Sequence, residues 1–154
     1  MNVDVRVQIE DFSVAAEYQA LRQRMAGGMG AVASFVGFVR DQFQTDAVDT
    51  LYLEHYPGMT ERSIAGIVAK AAQRWALMDV VVVHRVGALH PSAQIVLVQV
   101  ASGHRAAAFA ACEFIMDYLK TEAIFWKRED TAAGGRWVQS TLEDRDRAAA
   151  WTKE

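Results

Sequence analysis

Val3, Val5, Val7 and Ile9 alternate with Asp4, Arg6 and Gln8. This period of two predicts a half-buried strand. Ser13 is then placed to cap a helix running to about Met25, which Gly27 and Gly28 would end. The GGMG run lacks the spacing of a dinucleotide-binding loop and reads as a turn. Gly30 to Arg40 (GAVASFVGFVR) is apolar and rich in Val and Phe, predicting a buried strand whose polar end is Arg40-Asp41. Asp41 to Thr50 has no clear period and reads as a loop. A strand over Thr50–Tyr56 follows, closed by the turn pair Pro57-Gly58.

Thr60 is a candidate cap for a helix through about Trp75, with Ile64, Ile67, Val68 and Ala71 on its apolar face. Two strands, DVVVVHRVG and QIVLVQVAS, come next, joined by ALHPSA. A long helical segment starts near His104, where Ala108, Phe109, Cys112, Ile115, Met116 and Leu119 recur at spacings of three and four. The tail holds a Gly134-Gly135 turn, a short RWV run and a last stretch of helical character. Strands joined by short turns, mixed with three substantial helices, predict one α+β domain over residues 1–154 with a mostly antiparallel sheet. Residues 139–154 are its least defined part.

Composition narrows the function more than the fold. Hydrophobic residues make up 52% of the 154 positions and charged residues 23%, which places the chain among globular domains rather than disordered ones. A formal net charge of -3 argues against a general binder of nucleic acid or membrane surface, so any anion site must come from a local basic cluster. The single cysteine, Cys112, permits no internal disulfide and points to a reducing, cytoplasmic setting. No apolar run approaches the roughly 18 residues that span a bilayer. The N-terminus carries acids where a signal peptide needs an unbroken apolar stretch.

Three groups of basic residues are candidates for such a cluster. Lys120 and Lys127 are seven residues apart, about two helical turns, so a continuous helix would set both ammonium groups on one face roughly 10 Å apart. If the helix instead ends near Ala123, as the β-prone Ile124-Phe125-Trp126 suggests, the turn decides the geometry. Two solvated lysines are the plain alternative. His104-Arg105 sits at a helix start just after a strand, where free N–H groups favour an anion. Basic side chains there oppose the helix dipole unless an anion compensates. Arg40 ends an apolar strand, where a side chain leaves the core for a cleft. Cys112 has apolar neighbours that supply no lowered pKa, so it reads as a buried thiol rather than a sulfur carrier. His55, His84, His90 and His104 show no metal-ligand spacing, and no metal or cofactor is expected.

Leu53–Glu61 (LEHYPGMTE), His84–Leu89 (HRVGAL), His104–Glu129 (HRAAAFAACEFIMDYLKTEAIFWKRE) and Gly135–Val138 (GRWV) strongly resemble the large, catalytic subunit of molybdopterin synthase. The resemblance runs from about Phe12 to Val138. It implies an α/β hammerhead-like fold and a sulfurtransferase of molybdenum cofactor biosynthesis. That enzyme converts cyclic pyranopterin monophosphate to molybdopterin, taking sulfur from a ubiquitin-like small subunit that ends in a glycine thiocarboxylate. It also implies pairing of large subunits, with one small subunit bound at each end as a heterotetramer. Position by position, it puts Lys120 and Lys127 in the catalytic role. It places Phe38, Val39, Arg40, His104, Arg105, Lys127, Arg128 and Glu129 around the substrate. Phe35, Phe38, Met116 and Phe125 are candidate walls for the partner's glycine tail. A non-catalytic scaffold for the same partner is the rival.

The chain departs from the family pattern at three points. Ser92-Ala93 stands where a Gly-Glu pair is usual, Ile124 where Pro precedes FWK, and Thr141 where a basic residue often follows RWV. Arg145 and Arg147 are candidates to replace that last charge.

Overall fold

The computed structural model describes the backbone of residues 1–40, 42–43, 46–131, 134–138 and 140–153, and the side chains of 1–40, 50–127 and 140–152. Two sheets meet in it. The first has the order β1 (Asn2–Gln8), β5 (Leu77–Arg85), β7 (Gln94–Ser102), β2 (Ala31–Phe38). Only the β1–β5 pair in it is parallel. The second has the order β3 (Gln42–Phe43), β4 (Asp46–His55), β8 (Phe125–Thr131), β9 (Gly134–Val138), with β6 (Gly87–Leu89) also on β4. All its pairs are antiparallel.

The unbroken apolar runs in β5 and β7 follow from burial on both faces. Val80, Val82, Val98 and Val100 pack under α2 (Met59–Arg74) and α3 (Arg105–Leu119), while Val81, Val83 and Leu97 face the opposite side with Phe12 and Val14. A third cluster, Val39, Leu51, Leu53, Val86 and Leu89, fills the seam between the sheets. α1 (Val14–Arg24) begins at Ser13, whose hydroxyl accepts the Ala16 N–H at 3.1 Å, as the sequence predicts.

Three segments differ from the sequence expectation. Asp41 to Thr50 is not a plain loop, because β3 and the first half of β4 occupy its described part. ALHPSA is not all loop, because Ala88 and Leu89 belong to β6, held by β4 rather than by its own alternation. The last stretch of the tail is helical, as expected, forming α4 (Leu142–Ala150) followed by a 3-10 turn over Trp151–Lys153. Thr60 does not cap α2. Gly58 takes that place at φ 86°, a left-handed value that suits glycine. The Thr60 side chain is buried instead, accepting the Tyr56 N–H at 2.9 Å and donating to the Ile124 carbonyl at 2.7 Å. It thereby ties the start of α2 to the segment leading into β8.

Gly30 shows why small residues surround the start of α3. A Cβ there would lie 2.0 Å from the Gly103 carbonyl oxygen, so two chain segments touch backbone to backbone just before His104.

Candidate active site

Lys120 and Lys127 meet at a cleft of about 860 Å³ where the two sheets join. They do not share a helix face. α3 ends at Leu119, Lys120 is its C-cap, and Lys127 lies in β8 opposite Leu53 of β4. The C-cap position suits a cation, since the helix dipole is negative there. Directly paired residues point to the same face of a sheet, so Lys127 follows Leu53 toward the seam between the sheets.

The segment between the lysines is pinned at Ile124. Its N–H donates to the Ser63 Oγ at 3.3 Å and its carbonyl accepts the Thr60 hydroxyl at 2.7 Å. A proline would lose the first bond, so here two α2 hydroxyls hold the turn that a proline's fixed φ would otherwise set.

The opposite wall is the end of β2. Phe38, Val39 and Arg40 line the cleft with Phe35, and the loop beyond β6 anchors them. The Val39 carbonyl accepts the Ser92 N–H at 2.9 Å, and its N–H donates to the Ala93 carbonyl at 2.9 Å. Ser92 has φ 71°, the left-handed value that explains a glycine at this position in the family pattern. The serine adopts it at a strain of about 1 kcal/mol and preserves the contact that sets Arg40. Met116, Leu119 and Phe125 complete the apolar lining.

His104 and Arg105 do not line this cleft. They sit at the other end of α3, whose 15 residues separate them from Lys120 by about 22 Å. Within one chain the basic residues therefore form two groups: Arg40, Lys120 and Lys127 in one, His104 and Arg105 in the other. Arg128 and Glu129 lie in β8 opposite Tyr52 and Leu51, and their side chains fall outside the described residues.

The tail closes the cleft with polar rather than basic groups. Ser140, Thr141 and Asp144 line it. Thr141 caps α4, accepting the Asp144 N–H at 3.1 Å while its own N–H donates to the Asp144 carboxylate at 3.3 Å. Neither Arg145 nor Arg147 lines the cleft. Arg147 is committed elsewhere, to Asp117 at 3.0 Å and Glu113 at 2.8 Å on α3.

His84 is the lining residue that sequence reasoning passed over. It is 8% exposed, stacks on Phe125 at 4.0 Å and donates from Nδ1 to the Arg85 carbonyl at 2.9 Å. Burial, with Lys127 and Lys120 adding, pushes its pKa down from 6.5 to about 3. Its sequence signal was only position, at the polar end of an apolar strand. A stability effect follows. The unfolded chain takes up a proton as pH falls through 6.5, whereas the folded chain does not until about 3. Stability present above 6.5 should therefore be lost across that window, at up to about 1.4 kcal/mol per pH unit. Urea midpoints measured at descending pH should show the fall, and His84→Phe should flatten it.

Cys112 is buried on α3 near the Val98 carbonyl, and burial raises its thiol pKa to about 11. A thiol held protonated is a poor nucleophile. For the sulfurtransferase that the resemblance implies, Cys112→Ala should therefore keep the wild-type rate, with a loss of more than about tenfold pointing to a thiol rather than the lysines. Among the described residues no group of His, Cys, Asp and Glu could hold a metal ion, and no helix is long and apolar enough to cross a membrane.

Residues 7–122 match the family model of the MoaE protein. The chain belongs to the MoaE family. It is 58% identical over 147 residues to a molybdopterin synthase catalytic subunit of Ralstonia nicotianae, covering 96% of this chain and 83% of that protein. It is 55% identical over 151 residues to one of Vibrio cholerae, covering 98% and 99%. The solved structure of a molybdopterin biosynthesis MoaE protein from Burkholderia ambifaria superposes with a TM-score of 0.84 at 50% identity, covering 100% of both chains. Family membership makes this chain a catalytic subunit acting in molybdenum cofactor biosynthesis.

Proposed function

We propose that this MoaE-family chain converts cyclic pyranopterin monophosphate to molybdopterin. Two sulfurs are inserted in succession, each taken from the C-terminal thiocarboxylate of a ubiquitin-like small subunit. The observation that carries this reading is the convergence of Lys120, Lys127 and Arg40 on one cleft from a helix end, a strand and a strand end. Substrate phosphate and donor thiocarboxylate are both anions, and bringing them within 4 Å costs roughly 4 kcal/mol at an effective dielectric of 20. Three cations offset that cost. Lys120 acts as the acid/base or nucleophilic amine, and Lys127 stabilises charge as sulfur attacks and the phosphate ring opens. The apolar wall of Phe35, Phe38, Met116 and Phe125 suits a glycine tail, which offers backbone contacts alone.

His104 and Arg105, about 22 Å from Lys120 along α3, reach the same substrate only from a second copy of the chain. The active form is accordingly read as a dimer of this subunit with one small subunit at each end, working in the cytoplasm. Mixing the purified chain with thiocarboxylated small subunit and the cyclic precursor tests the reaction. Dithiolene product is the expected result. Binding of the small subunit without turnover would replace this reading with a scaffold role.

A further inference from the structure

Every charged side chain that Arg40, Lys120 and Lys127 bring to the cleft is a hydrogen-bond donor. Such groups suit the anionic parts of a ligand and cannot recognise its N–H groups. The reduced pterin of the proposed substrate carries ring N–H and amino groups, so its heterocycle needs acceptors.

His84 supplies one. Its ring is fixed by the β5 backbone between Val7 and Val96, by the stack on Phe125, and by the Nδ1 bond to the Arg85 carbonyl. A carbonyl only accepts, so Nδ1 carries the proton and Nε2 presents a lone pair. Nε2 has no hydrogen-bond partner among the described residues, although the ring lines the cleft and is 8% exposed. Asp144 also lines the cleft as an acceptor, with one of its carboxylate oxygens taken by the Thr141 N–H.

We propose that His84 is a substrate-binding residue whose Nε2 accepts a hydrogen bond from an N–H of the pterin heterocycle, turning the phosphate end toward the lysines. This inference rests on the reaction proposed above. Burial, with the two lysines adding, keeps the imidazole unprotonated, so the acceptor is not converted to a donor near neutral pH. Stacking on Phe125 holds the ring plane, so little rotational freedom is lost on binding.

His84→Phe keeps the stack and removes the acceptor, and His84→Gln restores an acceptor oxygen. With thiocarboxylated small subunit in excess, His84→Phe should raise KM for the cyclic precursor about tenfold while kcat changes less than about twofold. His84→Gln should recover part of the loss. Long-range 15N NMR of the wild-type chain should show a bare Nε2 that shifts when precursor is added. Unchanged KM in the Phe variant, or an Nε2 resonance unmoved by precursor, would overturn the assignment. If the Phe variant does not fold, the Gln variant and the wild-type NMR titration decide the matter. A wild-type chain that makes no product would sink the proposed reaction itself. An active wild type with an unaffected His84→Phe would sink only the role of His84.

Discussion

Lys120→Ala should lower the rate of dithiolene formation by about 10²- to 10⁴-fold, the range associated with losing a positioned acid/base group. The single-turnover rate with excess thiocarboxylated small subunit is the measurement, because it separates chemistry from partner exchange. Lys127→Ala should cost about 10²- to 10³-fold if its work is to stabilise developing charge. Arginine distinguishes the two roles. It keeps positive charge and cannot deprotonate, so Lys127→Arg should recover activity that Lys120→Arg does not. A Lys120→Ala chain turning over near the wild-type rate would remove the amine from the mechanism. The structure sharpens the expectation, since the two groups hang on different supports. Lys120 rides on the end of α3, and Lys127 on a strand tied to β4 and β9. A substitution at one should leave the other in place.

Asp117→Ala should loosen the tail and weaken substrate binding together. Asp117 is buried on α3, one turn before Lys120, and accepts Arg147 Nε at 3.0 Å and Trp151 Nε1 at 2.8 Å. Trp151 in turn packs edge-on against Trp75 and Phe114. Losing the carboxylate leaves the indole N–H unpaired in a half-buried site. The cost should be about 2–3 kcal/mol for the docking of α4. Thr141 and Asp144 at the other end of α4 line the cleft, so the same change should raise KM. Hydrogen exchange confined to α4, alongside KM for the precursor, reports both effects. Arg147→Ala is the milder control, because that side chain is half exposed and leaves the Trp151 bond intact. Equal protection of α4 in wild type and Asp117→Ala would show that the helix is held by Trp151 packing alone.

The amino-acid sequence states directly the elements whose burial pattern is regular. The alternation of β1, the valine runs of β5 and β7, the Ser13 cap and the three-and-four spacing of α3 each state a period and a buried face. It also carried the FIMDYLKT to FWKRE block, whose residue types mark the family without any coordinates. Local periodicity does not state which element lies against which, and the rest was decided there. β6 and the first half of β4 are strands because a neighbour pairs with them. Lys120 and Lys127 meet because α3 stops at Leu119 and the Thr60 and Ser63 hydroxyls hold Ile124, bonds that span more than sixty positions of chain. The same helix carries His104 and Arg105 away from the lysines, although the sequence brings all four into one block. Arg147 is withdrawn from the cleft by Asp117, thirty residues earlier, and His84 becomes a cleft residue only when Phe125 closes over it. A side chain's neighbours along the chain set its face, while its chemistry is set by the groups that folding brings beside it.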